Sequence, residues 1–361
     1  MAGIKTLNIG SVRNISESSV VLESGLNLFH GNNGSGKTSV LESVHALATG
    51  RSFRSRRLDL LVQHGSRESV VFAELVSGHK VGFSKPLRSN PVLKLNAEKE
   101  KNWESVSLLL PTLILDSNTF LLIDGGPKER RSFLDWGVFH VEPTFLSSWR
   151  DVRKCIAHRN QLLKSNQSSL SHIAAWDEEL SGCSEKTDKY RRDYLSSFSP
   201  VFKEVYSDLT GSSENELSIT YSRGWDDSKS LREVLLDNLD LDRRYGSTQY
   251  GPHRAELVVR DGKHKAIDTL SRGQLKLLVV SLKLAQAKLL ENTYRENTCT
   301  FLIDDLASEL DSRNRAAVLS YLSRSRSQSL ITSVSDTDIV KCLPNAVTIG
   351  TFHVERGTIR A

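Results

Sequence analysis

GNNGSGKT, residues 31–38, decides the fold of this 361-residue chain, because it fits the pattern GxxxxGK[ST] with no mismatch. A short apolar segment at 26–30 precedes it and predicts a strand. Apolar residues at helical spacing follow it as far as Leu47 and predict a helix. A glycine-rich loop between a strand and a helix is the context that a phosphate-binding loop requires.

The loop predicts a site for a nucleoside triphosphate. Its glycines let backbone N–H groups face the phosphates, and the helix N-terminus adds a favourable dipole. We expect Lys37 to reach the β- and γ-phosphates and Thr38 to supply a hydroxyl to Mg²⁺. The alternative, a glycine-rich turn with a chance lysine, leaves the flanking strand and helix unexplained. The predicted nucleotide-binding residues are Gly31, Asn32, Asn33, Gly34, Ser35, Gly36, Lys37, Thr38 and Ser39.

An acidic pair lies far along the chain, in the segment CTFLIDD (299–305), with Asp304 coming 267 residues after Lys37. Its apolar part predicts a buried strand that delivers Asp304 and Asp305 at its carboxyl end, where ligands bind in an open parallel sheet. We expect Asp304 to hold Mg²⁺, directly or through water, and Asp305 to polarise the attacking water. Asp305 and Lys37 are therefore the predicted catalytic residues. An acidic turn after a strand is common by itself, but the phosphate loop favours the catalytic interpretation.

A third motif, LSRGQ, begins a predicted helix and precedes Asp304 by about one helix and a turn. A serine and a glycine at a helix N-terminus can cap a phosphate, although SxGQ alone also fits an ordinary helix cap. Its place between the other two motifs resembles the LSGGQ signature of ABC-type ATPases, with an arginine at the middle glycine. The predicted signature residues are Ser271, Arg272, Gly273 and Gln274.

Other positions both match and depart from ABC-type ATPases. SELD (308–311) matches the D-loop, with Asp311 as its aspartate. No histidine follows the later predicted strand, where Thr332 stands, and no clear glutamine follows PTLILD (111–116). Asp305 also replaces the usual catalytic glutamate with a shorter side chain. These departures predict slow hydrolysis, and hence a switch rather than a pump.

The pattern of apolar residues predicts an α/β fold with an inserted helical arm domain, and the resemblance of the motifs to those of ABC-type ATPases implies that the α/β part is an ABC-type ATPase head. From about 133 to 209, strands nearly vanish and two helical stripes flank the polar stretch 164–171. We expect these two helices to pack antiparallel, and Pro200 to kink or end the second. The predicted domains are the N-terminal part of the head (1–115), the inserted mainly helical arm (116–244) and the C-terminal part of the head (245–361).

Composition excludes several classes of protein. The chain has 38% apolar and 25% charged residues, as globular proteins do, and no run of eighteen apolar residues that could span a membrane. Its first residues lack the apolar run of a secretory signal. Its four cysteines form no CxxC pair and its ten histidines show no metal-ligand spacing, which argues against a disulfide framework or a zinc site. We expect a cytoplasmic protein that uses ATP and Mg²⁺.

Several segments together resemble the RecF family, recombination and gap-repair proteins among the SMC/ABC-type ATPases. They occur in the family's order and span nearly the whole chain. GPHR and the doubled arginine before FLD are more specific than the nucleotide motifs, while residues 116–118 depart from the family's proline-acidic pattern. The matching segments are GNNGSGKTSVLESVHAL (31–47), GRSFRSRR (50–57), GGPKERRSFLDW (125–136), YGPHRAEL (250–257), DTLSRGQLKLL (268–278) and LIDDLASELD (302–311).

The resemblance implies a function as well as a fold. Two heads would dimerise on ATP, each signature acting in trans to complete the partner's phosphate loop. The closed dimer would hold DNA, both duplex and gapped, and slow DNA-stimulated hydrolysis through Asp305 would release it. The family acts with RecR and RecO to load RecA where double-stranded DNA meets single-stranded DNA, so the same partners are expected here.

The distribution of charge agrees with DNA binding. Residues 116–244 carry 18 Lys/Arg and 22 Asp/Glu, so a whole-chain net charge of +5 becomes −4 in the arm and +9 in the head. A basic head suits salt-sensitive contacts with the DNA backbone. The densest basic run is the candidate DNA contact, although it also fits contact with nucleotide phosphate or a solvated loop. Its residues are Arg51, Arg54, Arg56 and Arg57.

Other features leave alternatives open. Arg130 and Arg131 fit either DNA contact or an anchor between arm and head, and His253 and Arg254 in GPHR are expected to organise the head near the nucleotide. The ATPase subunit of a membrane transporter is the main alternative function, weakened by the absent switch histidine and the long insertion. A structural SMC-like clamp is disfavoured, because two helices of about 25 residues reach only about 40 Å.

Overall fold

The computed structural model describes residues 3–165, 169–211, 216–294, 297–344 and 347–361. The chain divides into two compact units. The head unit comprises Met1–Phe120, Val205–Ser212 and Arg272–Ala361, and the helical unit comprises Leu121–Glu204 and Ser213–Ser271. The predicted domain boundaries, after residues 115 and 244, stay a prediction; the compact units change over at 121 and 272.

The head unit combines strands and helices, and helices dominate the helical unit. The strands are β1 (Ile4–Val12), β2 (Ile15–Val21), β3 (Leu26–His30), β4 (Glu68–Leu75), β5 (Lys80–Pro86), β6 (Val92–Leu95), β7 (Glu98–Glu100), β8 (Thr112–Leu115), β9 (Leu217–Ser222), β10 (Glu256–Asp261), β11 (His264–Lys265), β12 (Thr300–Ile303), β13 (Gln328–Ser333), β14 (Ile349–Glu355) and β15 (Thr358–Arg360). The α-helices are α1 (Lys37–Thr49), α2 (Glu104–Leu109), α3 (Leu121–Asp124), α4 (Pro127–Val141), α5 (Phe145–Lys164), α6 (Leu170–Thr210), α7 (Leu231–Asp237), α8 (Leu239–Tyr245), α9 (Ala266–Thr269), α10 (Arg272–Thr293), α11 (Leu306–Glu309), α12 (Ser312–Arg324) and α13 (Thr337–Val340).

One sheet of the head unit is antiparallel, with the strand order β2-β1-β4-β5-β6-β7. Alternating side chains of its strands point into the core, as period-two patterns predict. The sequence did not predict β5, because only Val81 and Phe83 of its buried face are apolar. Lys85 occupies the next buried position, where its ammonium donates to the Asp59 carboxylate at 2.5 Å.

The second sheet has the order β15-β14-β3-β13-β12-β8, and all its strands except β15 run parallel. The bounds of β3 and β12 are those that the sequence predicted. Parallel strands end at the same edge of a sheet, so the residues after β3, β13, β12 and β8 meet there. This topology places the phosphate loop and the acidic pair at one edge.

Helix α1 packs between the two sheets and anchors the loop that precedes it. It contacts β1, β4 and β5 of the antiparallel sheet and β12 and β13 of the parallel one. Val40, Leu41, Val44 and Leu47 are fully buried in the core. A helix buried nearly all round has little freedom to shift, so its N-terminus at Lys37 holds the loop in place.

The two long helices of the helical unit pack antiparallel, which confirms the expectation from their apolar stripes. Ser148 on α5 contacts Thr187 on α6 through their hydroxyls at 3.0 Å, and Arg159 contacts Asp177 at 2.5 Å. Residue numbers therefore fall along α6 as they rise along α5. The same unit contains a small antiparallel sheet with the order β11-β10-β9.

Of the two expectations for Pro200, a kink or the end of the second helix, the structure excludes the end. Helix α6 continues through Pro200 to Thr210. Phe198 and Phe202 flank the proline, are both buried, and stack with ring centroids 6.2 Å apart. Burial of two aromatic rings on one helix face offsets the single backbone hydrogen bond that a proline removes.

Candidate functional site

The phosphate loop joins β3 to α1 and requires glycine at its first position. Gly31 has φ 146°, and a Cβ at that position would lie 2.2 Å from the Val354 carbonyl oxygen on β14. The Gly31 N–H donates to the Val334 carbonyl at 3.3 Å. The loop therefore fits tightly between the ends of β13 and β14, at the carboxyl edge of the parallel sheet.

Lys37 is the first residue of α1, and its side chain folds back over the loop. Its ammonium donates to the carbonyl oxygens of Gly31 at 2.7 Å and Asn32 at 3.0 Å. Burial lowers the pKa of Lys37, while the negative charges of Asp305 and Asp304 oppose that shift. The structure thus brings the predicted lysine and the predicted acidic pair into one electrostatic environment.

Asp304 follows β12 and lies against two threonine hydroxyls. Its Oδ1 accepts a hydrogen bond from Thr38 at 3.0 Å and another from Thr332 at 2.8 Å. Burial raises the pKa of Asp304; the two threonines lower it, and the charges of Asp116 and Asp305 raise it further. A carboxyl group with this balance gains from a nearby cation.

Thr332 is a site residue that sequence reasoning missed. It was noted only as standing where a switch histidine would be. Its hydroxyl accepts from the Asp305 N–H at 2.9 Å and donates to Asp304, so it couples the two aspartates. The signal that could have found it is its position near the carboxyl end of β13, the strand between β3 and β12.

Asp305 has a left-handed backbone, with φ 51°. Few residues other than glycine adopt this conformation, and it concentrates at functional sites. The Asp305 Oδ2 atom accepts from the Ser308 hydroxyl at 2.5 Å, which fixes the direction of the carboxylate. The acidic side chain predicted to act on water is therefore held in one orientation beside Asp304.

A third carboxylate, Asp116, follows β8 at the same edge. Its carboxylate oxygens accept from Asn118 at 3.1 Å and from the Thr119 hydroxyl at 2.8 Å. Its charge is one of the causes that raise the pKa of Asp304. The sequence assigned no role to Asp116, because nothing local indicates that β8 lies next to β12.

The donor set fits Mg²⁺ and a phosphate group. Hydroxyl and carboxylate oxygens are the ligands that Mg²⁺ prefers, and Thr38 and Asp304 are already in contact. The Ser35 hydroxyl is buried within the loop and has no hydrogen-bond partner among the residues that the structure describes. A buried hydroxyl of this kind can donate to a phosphate oxygen.

The signature and the D-loop aspartate differ in their surroundings. Residues 271–274 are exposed to solvent at the start of α10. Two residues further along, Lys276 donates to the Glu309 carbonyl at 2.8 Å and to its carboxylate at 3.1 Å. Asp311 caps α12, since its carboxylate accepts from the Asn314 N–H at 2.9 Å. The signature is therefore presented on the surface, and Asp311 has a structural role of its own.

One arginine of the basic run after α1 lies beside a buried carboxylate that is already paired. Glu42 on α1 is fully buried, accepts two hydrogen bonds from Arg13 at 2.7 and 2.9 Å, and lies 3.7 Å from Arg54. The Ser52 hydroxyl donates to Glu42 at 2.5 Å. Arg54 is thus partly committed to the fold. All four arginines of the run are exposed, and DNA contact by them stays a prediction: Arg51, Arg54, Arg56 and Arg57.

The doubled arginine and the GPHR motif lie together in the helical unit, although the sequence assigned GPHR to the head. Arg130 forms a bidentate pair with Glu256 at 2.7 and 2.9 Å, and Arg131 donates to the Ala255 carbonyl at 2.8 Å. Burial lowers the pKa of His253 to about 4, so its ring is neutral. These motifs build the helical unit itself.

Residues 3–360 match the family described as the RecF/RecN/SMC N terminal domain. The chain is 38% identical over 360 residues to the DNA replication and repair protein RecF of Pseudomonas entomophila (strain L48). It is 38% identical over 361 residues to the protein of that name from Pseudomonas syringae pv. tomato (strain ATCC BAA-871 / DC3000). Both alignments cover 99% of this chain and 97% of the relative.

Solved structures give the same relationship. The structure of the recombination mediator protein RecF-ATP in the RecFOR pathway aligns with a TM-score of 0.85 and 25% identity, covering 99% of this chain and 97% of that one. An Smc head bound to the C-winged helix domain of ScpA aligns with a TM-score of 0.60, covering 99% and 96% of the two chains. At 14% identity, the Smc head shows likeness of fold alone.

Proposed function

The chain belongs to the RecF family, and on that premise we propose that it is an ATP-dependent DNA-binding protein of recombinational gap repair. The observation that carries the proposal is the meeting of Lys37, Thr38, Asp304 and Asp305 at one sheet edge, joined by the hydrogen bond from Thr38 to Asp304. Its relatives are DNA replication and repair proteins, and one RecF structure is that of RecF-ATP. A phosphate loop beside an ordered acidic pair is suited to binding and cleaving ATP.

ATP binding follows from the residues of the loop. Backbone N–H groups of the loop other than that of Gly31, which donates to the Val334 carbonyl, would hold the phosphates together with the Lys37 ammonium, and the Ser35 hydroxyl can donate to one of the phosphate oxygens. Thr38 and Asp304 would hold Mg²⁺, which when bound neutralises charge on the phosphate oxygens. The cation would also stabilise the ionised form of Asp304, whose pKa burial raises.

Hydrolysis would be slow, so that the protein acts as a DNA-stimulated switch. Asp305 would orient the attacking water and accept its proton. Its Oδ2 atom also accepts from Ser308, and an aspartate side chain is one methylene shorter than glutamate. Both features reduce how well the carboxylate can reach a water molecule beside the phosphate. Slow hydrolysis suits a switch that releases DNA after a delay better than a pump that needs rapid, repeated ATP turnover.

Dimerisation would couple ATP to DNA. The exposed signature at 271–274 would complete the phosphate loop of a second copy, and the closed dimer would hold DNA where duplex meets single strand. Hydrolysis would then release the DNA. A RecF relative is described as a recombination mediator in the RecFOR pathway. We therefore propose RecR and RecO as partners and RecA loading as the outcome.

The alternative of a transporter ATPase subunit has less support. Relatives matched over nearly the whole chain are RecF proteins, and Thr332 stands where the transporter enzymes have a histidine. Within the described part of the chain, no helix is long and apolar enough to cross a membrane.

A DNA titration tests the proposal. Gapped, duplex and single-stranded DNA are each titrated with and without ATP and Mg²⁺, using the wild type, Lys37→Ala and the exposed-lysine control Lys189→Ala. We expect ATP to strengthen binding to gapped DNA at least tenfold in the wild type and the control but not in Lys37→Ala. The logarithm of the affinity is expected to fall linearly with the logarithm of the salt concentration.

The same samples report dimerisation by sedimentation. The wild type and Lys189→Ala are expected to dimerise in ATP, while Lys37→Ala stays monomeric. The proposal would be contradicted if ATP left the sedimentation profile of the wild type unaltered. It would also be contradicted if the DNA affinity depended on neither ATP nor salt concentration. Association with membrane vesicles in place of DNA would favour the transporter alternative.

A further inference from the structure

The turn between β1 and β2 forms hydrogen bonds with α1, the helix that follows the phosphate loop. Arg13 and Asn14 form this two-residue turn, since Val12 pairs with Ile15 across the hairpin. Arg13 has φ 54°, a conformation that glycine adopts most easily. An arginine stands there because its guanidinium binds the buried carboxylate of Glu42, with hydrogen bonds of 2.7 and 2.9 Å. Backbone strain in this turn is thus offset by an ion pair to α1.

Asn14 reaches the phosphate loop itself. Its side-chain amide donates to the Gly34 carbonyl at 3.1 Å, and its carbonyl oxygen accepts from the Ser39 hydroxyl at 3.0 Å. One side chain therefore joins the middle of the loop to the first turn of α1. Ser39 and Glu42 are three residues apart, so the turn holds a single face of the helix at two points.

The space around Asn14 explains two glycines. A Cβ at Gly36 would lie 3.1 Å from the Asn14 Oδ1 atom, and a Cβ at Gly357 would lie 2.0 Å from the Asn14 carbonyl oxygen. Gly357, in the turn between β14 and β15, donates its N–H to the Ser35 carbonyl at 2.7 Å. Two hairpin turns therefore touch the loop and each other.

We infer that Asn14 is a positioning residue for the phosphate-binding loop. The Gly357 turn packs against the backbone of Asn14 and supports it in this position. This inference rests on the proposed ATP-binding function. The two hydrogen bonds of Asn14 hold the Gly34 peptide and Ser39 in the loop conformation before nucleotide arrives. A loop that is ordered in advance loses less conformational entropy when a ligand binds. Asn14 itself is exposed, so its removal leaves no cavity in the core.

The experiment compares two hairpin asparagines. Asn14→Ala removes both contacts, and Asn96→Ala is the matched control: Asn96 is exposed, has φ 50°, and its side chain accepts from the Lys80 N–H at 2.9 Å and contacts His79 at 3.0 Å. Calorimetric titration with ATP and Mg²⁺ is expected to give about tenfold weaker affinity for Asn14→Ala, as expected for two lost hydrogen bonds. Asn96→Ala is expected to bind ATP as the wild type does.

A double-mutant cycle separates positioning from general loss of structure. Ser39→Ala is expected to weaken ATP binding in the wild type but to add little in the Asn14→Ala background, because Asn14 acts through Ser39. In steady-state hydrolysis, Asn14→Ala is expected to raise KM about tenfold while kcat stays within about twofold. If Asn14→Ala does not fold, Asn14→Ser serves in its place.

Wild-type affinity in Asn14→Ala, or independent effects of Asn14 and Ser39, would overturn this inference and leave the proposed function standing. Equal losses of affinity in Asn14→Ala and Asn96→Ala would overturn it too, because the effect would then belong to hairpin stability in general. A wild-type protein that binds no ATP would overturn the inference and the proposed function together.

Discussion

Buried charged groups have different roles at two places in the molecule, the Arg159 cluster of the helical unit and the nucleotide site of the head unit. In the helical unit, the fully buried Arg159 binds Asp177 and Asp242, each at 2.5 Å. Burial raises the pKa of Asp177, but the Arg159 guanidinium opposes that rise. In the head unit, burial raises the pKa of Asp304, and the charges of Asp116 and Asp305 raise it further. The Arg159 cluster of the helical unit neutralises its charges internally and builds structure, whereas the nucleotide site of the head unit holds a carboxylate whose charge a bound cation would neutralise.

The largest effect is expected from breaking the internal pair. Arg159→Met leaves Asp177 and Asp242 buried without their cation, so we expect the free energy of unfolding to fall by about 3–5 kcal/mol. Denaturant unfolding measures this. ATP affinity is expected to be unchanged in the folded protein, because the nucleotide site lies in the other unit.

Arg192→Met is the matched control for that variant. Arg192 is half-exposed and donates to Asp188 at 2.8 Å and to Asp227 at 2.9 Å. Asp188 is buried but also accepts from the Tyr221 hydroxyl at 3.0 Å, so it keeps a hydrogen-bond partner in the variant, and we expect a smaller loss of stability than in Arg159→Met. Equal losses of stability in Arg159→Met and Arg192→Met would refute the view that the helical unit depends on its internal charge pairs.

The next largest effect is expected from Asp305→Asn, which should slow ATP hydrolysis and leave the stability of the fold unchanged. Asparagine adopts the left-handed conformation of residue 305 readily and can still accept from Ser308, so Asp305→Asn is expected to fold normally. Loss of the base is expected to slow ATP hydrolysis about 100-fold while ATP affinity stays within about twofold. Steady-state hydrolysis and calorimetry measure the two, with the exposed carboxylate variant Asp338→Asn as control. Wild-type hydrolysis by Asp305→Asn would remove that residue from the catalytic role.

The smallest effect is expected on the pH dependence of the melting temperature when Asp304 is replaced. The raised pKa of Asp304 means that folding destabilises its ionised form. This destabilisation is absent below the ordinary carboxyl pKa and complete above the raised one. Without nucleotide at neutral pH, we expect Asp304→Asn to raise the melting temperature by about 2–4 °C, since its amide oxygen can still accept from Thr38 and Thr332. The gain is expected to shrink as the pH falls through the raised pKa.

Calorimetric melting curves between pH 4 and pH 8 test this sign. Addition of ATP and Mg²⁺ is expected to stabilise the wild type more than Asp304→Asn, because the variant lacks the carboxylate for the cation. A variant that melts below the wild type at neutral pH would show that Asp304 serves structure, as Arg159 does.

Local patterns predicted the elements that carry the site. The segment 26–30, the glycine loop and the segment 300–303 have their predicted places, because each depends on neighbours in sequence: an apolar run, glycines at fixed spacing, an acidic end. The sequence pattern failed to predict the local structure where the packing of buried side chains overrides local preference. Pro200 lies inside a helix because buried rings flank it, and β5 places Lys85 at a buried position because Asp59 binds it.

The residues that complete the site show the same limit. Nothing in the sequence singles out Thr332 near the end of a strand, Asp116 just after a strand or Asn14 in a hairpin turn. Each becomes part of the site only because a strand or hairpin from elsewhere in the chain ends beside the loop.

By itself, then, the sequence determined the motifs of this chain and their order, which is that of the RecF family: a glycine-rich loop, a signature segment and an acidic pair. The tertiary structure alone decided which side chains orient that chemistry and which charges remain for a ligand. The physical reason is the distance along the chain over which each kind of interaction acts. Backbone conformation and apolar periodicity act over a few residues, whereas hydrogen-bond partners and burial depend on strands and helices that meet only in the folded chain.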